Sequence, residues 1–241
     1  MRTRCAVILA GGLGLRLRSV VADIPKPMAP VSGRPFLQWL MDVWVEQGIE
    51  RFILSVGYRA DSIIDYFGEQ YRGRPIDYAI ERSQLGTGGA VLLAATLLEG
   101  EECFLVCNGD TFFNVSLADL EAFAISVAAD WCLSLFRADQ DNRFGAVSRD
   151  ANDSIIALGP ATARVGEPAN GGVYWVRSSA LAPFHQVAPA TISLERDIIP
   201  QSIELSQHVV GLESRAEFLD IGVPNDYARA AALLRRIENA G

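Results

Sequence analysis

The segment Cys5-Ala6-Val7-Ile8-Leu9-Ala10-Gly11-Gly12 joins a short apolar run directly to a glycine-rich turn. An apolar run of this length, rich in β-branched residues and ended by glycines, is typical of a buried strand. Glycines at the carboxyl end of a parallel strand let the backbone approach a phosphate closely and aim N–H groups at it. The segment therefore predicts an α/β protein whose first strand leads into a phosphate-binding loop.

Similar apolar runs alternate with amphipathic stretches of helical length along the front of the chain. We predict strands at residues 5–9, 51–56, 76–80, 103–107 and 131–136. We predict helices at residues 35–47, 60–67, 87–98 and 117–128. This alternation predicts βαβ crossovers and a Rossmann-like, mostly parallel sheet flanked by helices.

The pattern changes after about Arg137. Residues 144–148 and 154–158 predict a hairpin, and residues 172–177 predict a further strand. Residues 224–239 predict an amphipathic helix with Pro224 in its first turn. We expect the front and rear parts of the chain to contribute strands to one continuous sheet.

The composition limits the classes of protein that the chain can belong to. Its 241 residues, half of them hydrophobic, can bury a substantial core, and a net charge of -8 argues against nonspecific nucleic-acid binding. The first apolar run is too short for a signal peptide or a membrane span, and no later run reaches about 18 residues. We therefore expect a cytoplasmic protein with no membrane contact.

The four cysteines, Cys5, Cys103, Cys107 and Cys132, all lie in apolar runs. A zinc site would call for CxxC pairs or nearby histidines, which this spacing lacks. We expect reduced thiols in the core.

Basic residues follow the glycine-rich loop. Arg16 comes soon after Gly14, and Lys26 stands in Pro25-Lys26-Pro27. Flanking prolines favour an extended backbone and disfavour helix, so this lysine would be held stiffly beside the loop, as a phosphate clamp requires. The alternative is an ordinary surface loop with one lysine. The loop lacks the GK[ST] ending of a Walker loop, and Leu17 replaces the last glycine of a dinucleotide fingerprint.

A second glycine-rich segment, Leu85-Gly86-Thr87-Gly88-Gly89, leads into the predicted helix at 87–98. Thr87 is a candidate helix cap, and the glycines would leave room for a flat ring against the backbone. Glu81, just before, would accept hydrogen bonds from a base edge. The alternative for Glu81 is a solvent-facing charge.

The predicted strand at 103–107 ends in Asn108-Gly109-Asp110. Ligands of open α/β sheets bind at such strand ends. Mg²⁺ prefers one or two carboxylates together with phosphate oxygens, and Asp220 in Phe218-Leu219-Asp220-Ile221-Gly222 offers a second carboxylate. Each aspartate alone would suit a helix cap or a loop; together with the glycine-rich loop they favour a Mg²⁺ site.

In kind and order, these motifs resemble those of the sugar-nucleotide pyrophosphorylases, the sugar-1-phosphate nucleotidyltransferases, over nearly the whole chain. The resemblance implies the nucleotide-diphospho-sugar transferase fold in a single domain, residues 1–241. Residues 1–137 would form its nucleotide-binding half and residues 138–241 its sugar-phosphate-binding half. It also implies transfer of a nucleoside monophosphate from a nucleoside triphosphate to a sugar 1-phosphate, with release of pyrophosphate. Leu15 stands where the family usually has threonine, so a hydroxyl contact is lost there.

The resemblance also implies residue roles. Arg16 and Lys26 would neutralise the leaving group, and Asp110 and Asp220 would bind Mg²⁺, with Arg16, Lys26 and Asp110 forming the catalytic set. The residues expected to bind the nucleotide are Leu9, Ala10, Gly11, Gly12, Gly14, Glu81, Leu85, Gly86, Thr87, Asn108 and Gly109.

On the acceptor side, the resemblance implies that Asn170, Gly171 and Glu195 line the sugar pocket. Relatives commonly carry a Glu-Lys pair shortly before the Asn-Gly-Gly segment, and its lysine holds the sugar phosphate. Residues 157–161 contain no lysine here, and Arg164 is the nearest cation in sequence. We expect Arg164 to take that role, although a guanidinium grips phosphate differently from an ammonium.

Within the family, segments such as Ser55-Val56-Gly57-Tyr58 and Asn170-Gly171-Gly172-Val173-Tyr174 most resemble those of heptose-1-phosphate guanylyltransferases. This implies GTP and D-glycero-D-manno-heptose 1-phosphate as substrates, and a product used for surface polysaccharide. Residue chemistry alone leaves open UTP-dependent enzymes acting on muramate, glucose or mannose phosphates. It also leaves open a noncatalytic sugar-nucleotide sensor, which the missing lysine favours, and assembly into a homo-oligomer.

Overall fold

The computed structural model describes residues 2–12, 24–184 and 191–239. The large sheet consists of β1 (Cys5–Leu9), β4 (Arg51–Val56), β5 (Gln70–Tyr71), β6 (Arg74–Ile80), β7 (Cys103–Asn108), β9 (Trp131–Arg137), β12 (Pro168–Arg177) and β13 (Val209–Glu213). Three small two-stranded sheets pair β2 (Pro30–Val31) with β3 (Arg34–Pro35), β8 (Thr111–Phe113) with β14 (Phe218–Asp220), and β10 (Val147–Arg149) with β11 (Ile155–Leu158).

The large sheet is mixed but mostly parallel, in the order β13-β9-β12-β7-β1-β4-β6-β5. β1 runs parallel to β4 and β7, β4 to β6, and β9 to β13. β12 lies antiparallel between β7 and β9, and β5 is a short antiparallel edge strand. The Rossmann-like sheet predicted from the alternating pattern is confirmed, and strands from both parts of the chain belong to it.

The strand order reverses at β1. The chain first adds β4 and β6 on one side of β1 and then returns to place β7 on the other side. β1 and β7 are buried along nearly their whole length, as expected for parallel strands covered on both faces. In open α/β sheets, the crevice at the carboxyl ends of the strands at such a reversal is where ligands bind.

Helices cover both faces of the sheet. They are α1 (Phe36–Glu46), α2 (Ala60–Phe67), α3 (Gly86–Ala95), α4 (Leu117–Ser126), α5 (Ile199–Glu204) and α6 (Pro224–Glu238). α4 begins after Ser116, whose hydroxyl accepts a hydrogen bond from the N–H of Asp119 at 3.1 Å. α3 ends at Ala95, three residues before its predicted end, because the following N–H groups bond carbonyls three residues back and tighten the chain into a 3₁₀ turn.

The remaining predicted elements are present with shifted bounds. The predicted hairpin forms between β10 and β11, with an irregular register between Ser148 and Arg149. β12 begins at Pro168, earlier than predicted. Across residues 2–12, 24–184 and 191–239, no helix is long and apolar enough to span a membrane.

Two hydrophobic clusters form the core, one containing Phe36 and Trp175, the other Trp131 and Tyr174. All four cysteines are free and buried, which confirms the prediction of core thiols. Burial raises the pKa of the Cys5 and Cys132 thiols to about 12, so they stay protonated and inert.

Candidate active site

A cavity of 590 Å³ lies at the carboxyl ends of β1, β6 and β7. The sequence motifs predicted most of its lining, namely Leu9, Gly11, Gly12, Lys26, Glu81, Gly86, Thr87, Asn108 and Asp110. Pro27, Gln84, Ala90 and Thr191 also line it and were not predicted. The first three adjoin the predicted motifs, whereas Thr191 carries no signal in the sequence. Gly14 and Arg16 lie outside the described residues.

The turns that follow β1 and β7 hold each other in place. The N–H of Gly109 donates to the carbonyl of Leu9 at 2.9 Å, and a Cβ on Gly109 would lie only 2.6 Å from that oxygen. On the other side, the buried Ala10 donates its N–H to the carbonyl of Ser55 at 2.7 Å. Among the described residues, no atom lies within 4 Å of a Cβ placed on Gly12.

Glu81 is half-buried beside the glycine-rich loop. Its Oε1 accepts a hydrogen bond from the Ser55 hydroxyl at 3.2 Å, and its Oε2 accepts one from the N–H of Leu85 at 3.4 Å. Gly11 packs so closely against this carboxylate that a Cβ there would overlap Oε1. Burial raises the pKa of Glu81, and the two hydrogen bonds partly oppose that shift. Because a carboxylate offers about four acceptor sites, Glu81 keeps acceptor capacity for a ligand.

The backbone at Lys26 differs from the extended form predicted for it. Lys26–Met28 is a single 3₁₀ turn, in which the N–H of Ala29 donates to the carbonyl of Lys26 at 3.0 Å. The prediction was wrong because the fixed φ of Pro27 suits the start of a helical turn as well as an extended chain. The turn still holds the Lys26 side chain firmly, and that side chain is only 8% exposed.

Two aspartates from distant parts of the chain converge on Lys26. The Nζ of Lys26 lies 2.5 Å from Oδ2 of Asp110 and 3.6 Å from Oδ1 of Asp220. Pairing of β8 with β14 places Asp220 opposite Thr111, and the N–H of Ile221 donates to the carbonyl of Asp110 at 3.1 Å. The structure therefore brings together three of the four residues predicted to act on the phosphates; the fourth, Arg16, lies outside the described residues.

The donor set at this cluster suits Mg²⁺. No group of three or more His, Cys, Asp or Glu side chains that would hold a metal occurs among the described residues. Mg²⁺ needs fewer protein ligands, since it commonly takes one or two carboxylates and completes its shell with phosphate oxygens and water. Asp110 and Asp220 are thus the residues that would hold this ion, in competition with the ammonium of Lys26.

Asn170 and Glu195, both predicted to line the sugar pocket, are joined through Tyr174. The amide of Asn170 donates to the Tyr174 hydroxyl at 2.6 Å, and that hydroxyl donates to Oε1 of Glu195 at 3.0 Å. Tyr174 is fully buried, and burial together with the nearby Glu195 raises its pKa well above the ordinary value. We call Asn170, Tyr174 and Glu195 the acceptor triad. Tyr174 belongs to the Asn-Gly-Gly-Val-Tyr segment, but the sequence indicated no role for it.

Thr87 connects the acceptor triad to the cavity instead of capping a helix, so that prediction was wrong. Its hydroxyl donates to Oε2 of Glu195 at 3.0 Å and accepts from the N–H of Leu194 at 2.8 Å. The helix α3 begins one residue earlier, at Gly86, and has no side-chain cap. In the first turn of α3, the N–H of Gly88 instead donates to the carbonyl of Ile192 at 2.8 Å.

The glycines at the start of α3 serve a purpose that the sequence did not indicate. Gly86 has φ +72°, and a Cβ on either Gly86 or Gly88 would clash with the segment at Ile192. They make room for this segment of the chain, and Gly86 lines the cavity as well.

None of the four predicted acceptor-side residues lines the cavity, and Gly171 and Arg164 lie outside the acceptor triad as well. Gly171 packs against the ring of Phe113, which a Cβ would overlap. Arg164 is exposed in a turn, where its N–H donates to Glu167 at 2.9 Å. No contact of the Arg164 guanidinium with the acceptor triad is present among the described residues.

Comparisons with known proteins agree with this geometry. A family model described as nucleotidyl transferase matches residues 5–236. The chain is 40% identical over 226 residues to the D-glycero-alpha-D-manno-heptose 1-phosphate guanylyltransferase of Aneurinibacillus thermoaerophilus, covering 93% of this chain and 96% of the relative. It is 35% identical over 227 residues to the protein of the same name from Campylobacter jejuni, covering 92% and 96%.

A solved structure is similar over the whole length. HddC from Yersinia pseudotuberculosis, crystallised in complex with GMP-PN, has a TM-score of 0.83 and 33% identity, covering 96% of this chain and 99% of that one. The region matched by the family model includes every candidate site residue described above.

Proposed function

The chain belongs to the sugar-1-phosphate nucleotidyltransferase family, and on that premise we propose that it transfers GMP from GTP to D-glycero-D-manno-heptose 1-phosphate. The products would be pyrophosphate and GDP-heptose. The observation that carries this proposal is one cavity lined both by the Glu81 carboxylate and by the cluster of Lys26 with Asp110. The choice of substrates is supported by two relatives that are named heptose 1-phosphate guanylyltransferases and are similar over more than nine-tenths of the chain.

The chemistry of Glu81 favours guanine. Guanine presents two adjacent donors, N1–H and N2–H, to which one carboxylate can accept side by side, whereas uracil presents one N–H flanked by carbonyl oxygens. Those carbonyls would be repelled by a carboxylate. Since Glu81 keeps acceptor capacity and Gly11 lies against it, we place the base at the edge of the Glu81 carboxylate, next to the glycine-rich loop.

The phosphates would lie at the Lys26 cluster. Lys26 and the N–H groups of the loop after β1 supply positive charge and donors for the triphosphate. We propose that Asp110 and Asp220 hold Mg²⁺, which when bound would screen the charge on the phosphates. A carboxylate pair beside a polyanion requires such a cation, and in the part of the chain that the structure describes Lys26 is the cation that faces both aspartates.

The reaction we propose is a direct displacement. An oxygen of the sugar phosphate forms a bond to the α-phosphorus of GTP. At the same time, the bond breaks between the α-phosphorus and the oxygen that bridges it to the β-phosphorus. The electron pair of that bond leaves with pyrophosphate, so no covalent enzyme intermediate and no general base are needed. The protein contributes by positioning two anions against each other and by screening their charge, which are the main sources of catalysis in phosphoryl-type transfers.

The acceptor triad would orient the sugar. Amide and carboxylate groups make directional hydrogen bonds to hydroxyl groups. Asn170 and Glu195 are held relative to each other by Tyr174, and Thr87 ties Glu195 to the nucleotide cavity. Donor and acceptor subsites would therefore share one hydrogen-bonded frame.

In the cell, we propose that the product serves the synthesis of surface polysaccharide and that the reaction takes place in the cytoplasm. The four free, buried cysteines suit a reducing compartment.

The test is pyrophosphate release by the purified protein with Mg²⁺, each nucleoside triphosphate in turn, and heptose, mannose, glucose or N-acetylmuramate 1-phosphate. We expect release with GTP and the heptose phosphate. Release with another pair would keep the chemistry and overturn the substrates. No release with any pair, from protein that still binds a nucleotide sugar, would favour a noncatalytic sensor, the function that the lack of an acceptor lysine at 157–161 would fit.

A further inference from the structure

Asp220 faces a second cation that none of the sequence motifs contains. Its Oδ1 faces Lys26 at 3.6 Å, whereas its Oδ2 lies 3.9 Å from Nη2 of Arg143. Arg143 belongs to the connection between β9 and β10, and its side chain is 16% exposed. A positive charge therefore stands on each side of this aspartate.

The arginine is fixed in place from behind. Nη2 of Arg143 makes a very short ion pair with Oδ2 of Asp226, a buried residue in the first turn of α6. The guanidinium carbon also lies 4.7 Å from the centre of the Phe144 ring, within range of a cation–π contact. A side chain held in this way loses little further entropy when it binds a ligand.

One donor of Arg143 is left without an acceptor. Its Nε is buried and has no hydrogen-bond partner among the described residues. A buried donor without a partner costs free energy, and native structures seldom keep one unless a ligand, ion or water satisfies it. The guanidinium can also bond two phosphate oxygens at once.

We propose that Arg143 binds the phosphate of the acceptor sugar 1-phosphate. The inference rests on the proposed function, because the acceptor phosphate must then lie next to the Asp110 and Asp220 pair to reach the α-phosphorus. Arg143 is beside Asp220, whereas Arg164, the cation that the sequence indicated for this role, is exposed in a turn. The guanidinium would replace the lysine that residues 157–161 lack.

The test compares two ligands in the absence of metal. In GDP-heptose the β-phosphate is the former acceptor phosphate, and GMP lacks it. Dissociation constants for both are measured by equilibrium titration in EDTA. For Arg143→Ala we expect the dissociation constant for GDP-heptose to rise about 10- to 100-fold, as for loss of charge-assisted hydrogen bonds, and that for GMP to stay within about twofold.

Two further variants sharpen the test. Arg229 also pairs with Asp226, at 3.1 Å, but points to solvent, so Arg229→Ala is the matched control and should change neither constant. Arg143→Lys keeps a charge but has no group equivalent to Nε, and should raise the constant for GDP-heptose about fivefold. Thermal melting shows whether Arg143→Ala folds. If it does not, Arg143→Lys takes its place in the comparison of the two ligands.

Three outcomes would overturn the proposal. If Arg143→Ala raises the dissociation constants for GMP and GDP-heptose equally, Arg143 has a structural role only. If neither dissociation constant changes, Arg143 does not bind the acceptor phosphate. A selective rise for Arg164→Ala with none for Arg143→Ala would assign the phosphate to Arg164. If wild-type protein binds a different nucleotide sugar, the proposed substrates fail, and the same comparison with that nucleotide sugar and its monophosphate still tests Arg143.

Discussion

The two sides of the active site are built in different ways. On the nucleotide side, Gly11, Glu81 and Asn108 lie at the ends of strands of the large sheet or within two residues of them, so main-chain hydrogen bonds of the sheet set their positions. On the acceptor side, Asn170 and Tyr174 also lie on a strand, β12, but Glu195 belongs to the helical segment Leu194–Ile198 and is joined to them by side-chain hydrogen bonds. A sheet cannot shift one strand end without shifting its neighbours, whereas a side-chain network changes with one substitution.

This difference has a consequence for specificity. Nucleotide recognition should resist change, except at the one carboxylate that would read the base. Sugar recognition should vary more easily, because the acceptor triad depends on a few hydroxyl and amide contacts. Both substrates would need the cluster at Lys26. Substitutions at the Lys26 cluster should therefore affect the use of both substrates. Substitutions elsewhere in the site should affect the use of only one substrate.

The largest effect is expected from Asp110→Asn. The carboxamide keeps the shape of the side chain but removes one of the two charges that would hold Mg²⁺ and that face Lys26. We expect kcat to fall by about 10³-fold, comparable to losing a preorganised electrostatic contact. Steady-state kinetics measures this, with the exposed Asp65→Asn on α2 as control. Turnover that survives in Asp110→Asn would refute the metal assignment.

A smaller effect, restricted to the nucleotide side, is expected from Glu81→Gln. A glutamine offers one acceptor and one donor where guanine needs two acceptors, so kcat/KM for GTP should fall by about 10- to 100-fold. The same amide complements uracil, so the ratio of UTP to GTP use should rise. Competition between the two triphosphates measures this ratio. The KM for the sugar phosphate should stay the same. An unchanged ratio of UTP to GTP use would mean that the base is recognised elsewhere.

On the acceptor side, Tyr174→Phe removes only the hydroxyl that joins Asn170 to Glu195. We expect the KM for the sugar phosphate to rise by about tenfold while the KM for GTP stays constant, because under our proposal the triad would bind the sugar and not the nucleotide. Tyr66→Phe is the control, since it removes an exposed hydroxyl that bonds Gln38 at 2.9 Å. A matching rise in the KM for GTP would show that the two sides are not separable.

The smallest effect is a pH dependence confined to the nucleotide side. Burial raises the pKa of Glu81, so its carboxylate takes up a proton at a higher pH than an exposed glutamate would, and a protonated Glu81 loses acceptor capacity for guanine. We expect the KM for GTP to rise as the pH falls from neutral into the acid range. Glu81→Gln should abolish this rise.

Unfolding would not explain that pH dependence. A raised pKa means that ionised Glu81 opposes folding above that pKa, and the penalty is relieved as the pH falls through it. Glu81 itself thus makes the fold slightly more stable in acid. A KM for GTP that is flat with pH in the wild-type protein, or a rise that persists in Glu81→Gln, would contradict the role given to Glu81.

The sequence indicated most of the residues that line the cavity but neither Tyr174 nor Arg143, for the same structural reason. Strands such as Cys5–Leu9 and Cys103–Asn108 are continuous apolar runs ended by glycines, and such runs reveal both the strand and the residues at its tip. Arg143 and Tyr174 gave no such signal. A lone arginine in a connection and a buried tyrosine acquire roles only from partners far away in sequence, at Asp226 and Glu195.

Local rules failed where tertiary packing took precedence. Thr87 has the residue type of a helix cap, yet its hydroxyl is used by Glu195 and Leu194. The glycines on either side of it, Gly86 and Gly88, were interpreted as room for a ligand, but they accommodate the segment at Ile192. Neither contact could be predicted from sequence spacing, since more than 100 residues separate the partners.

The central claim is most directly tested by one competition reaction. The protein is incubated with Mg²⁺, equal concentrations of ATP, GTP, CTP, UTP and dTTP, and D-glycero-D-manno-heptose 1-phosphate, and the nucleotide sugars formed are identified by mass spectrometry. We predict GDP-heptose as the dominant product, with one pyrophosphate released for each molecule formed. A different nucleotide sugar, or hydrolysis of triphosphate without any sugar product, would contradict the account.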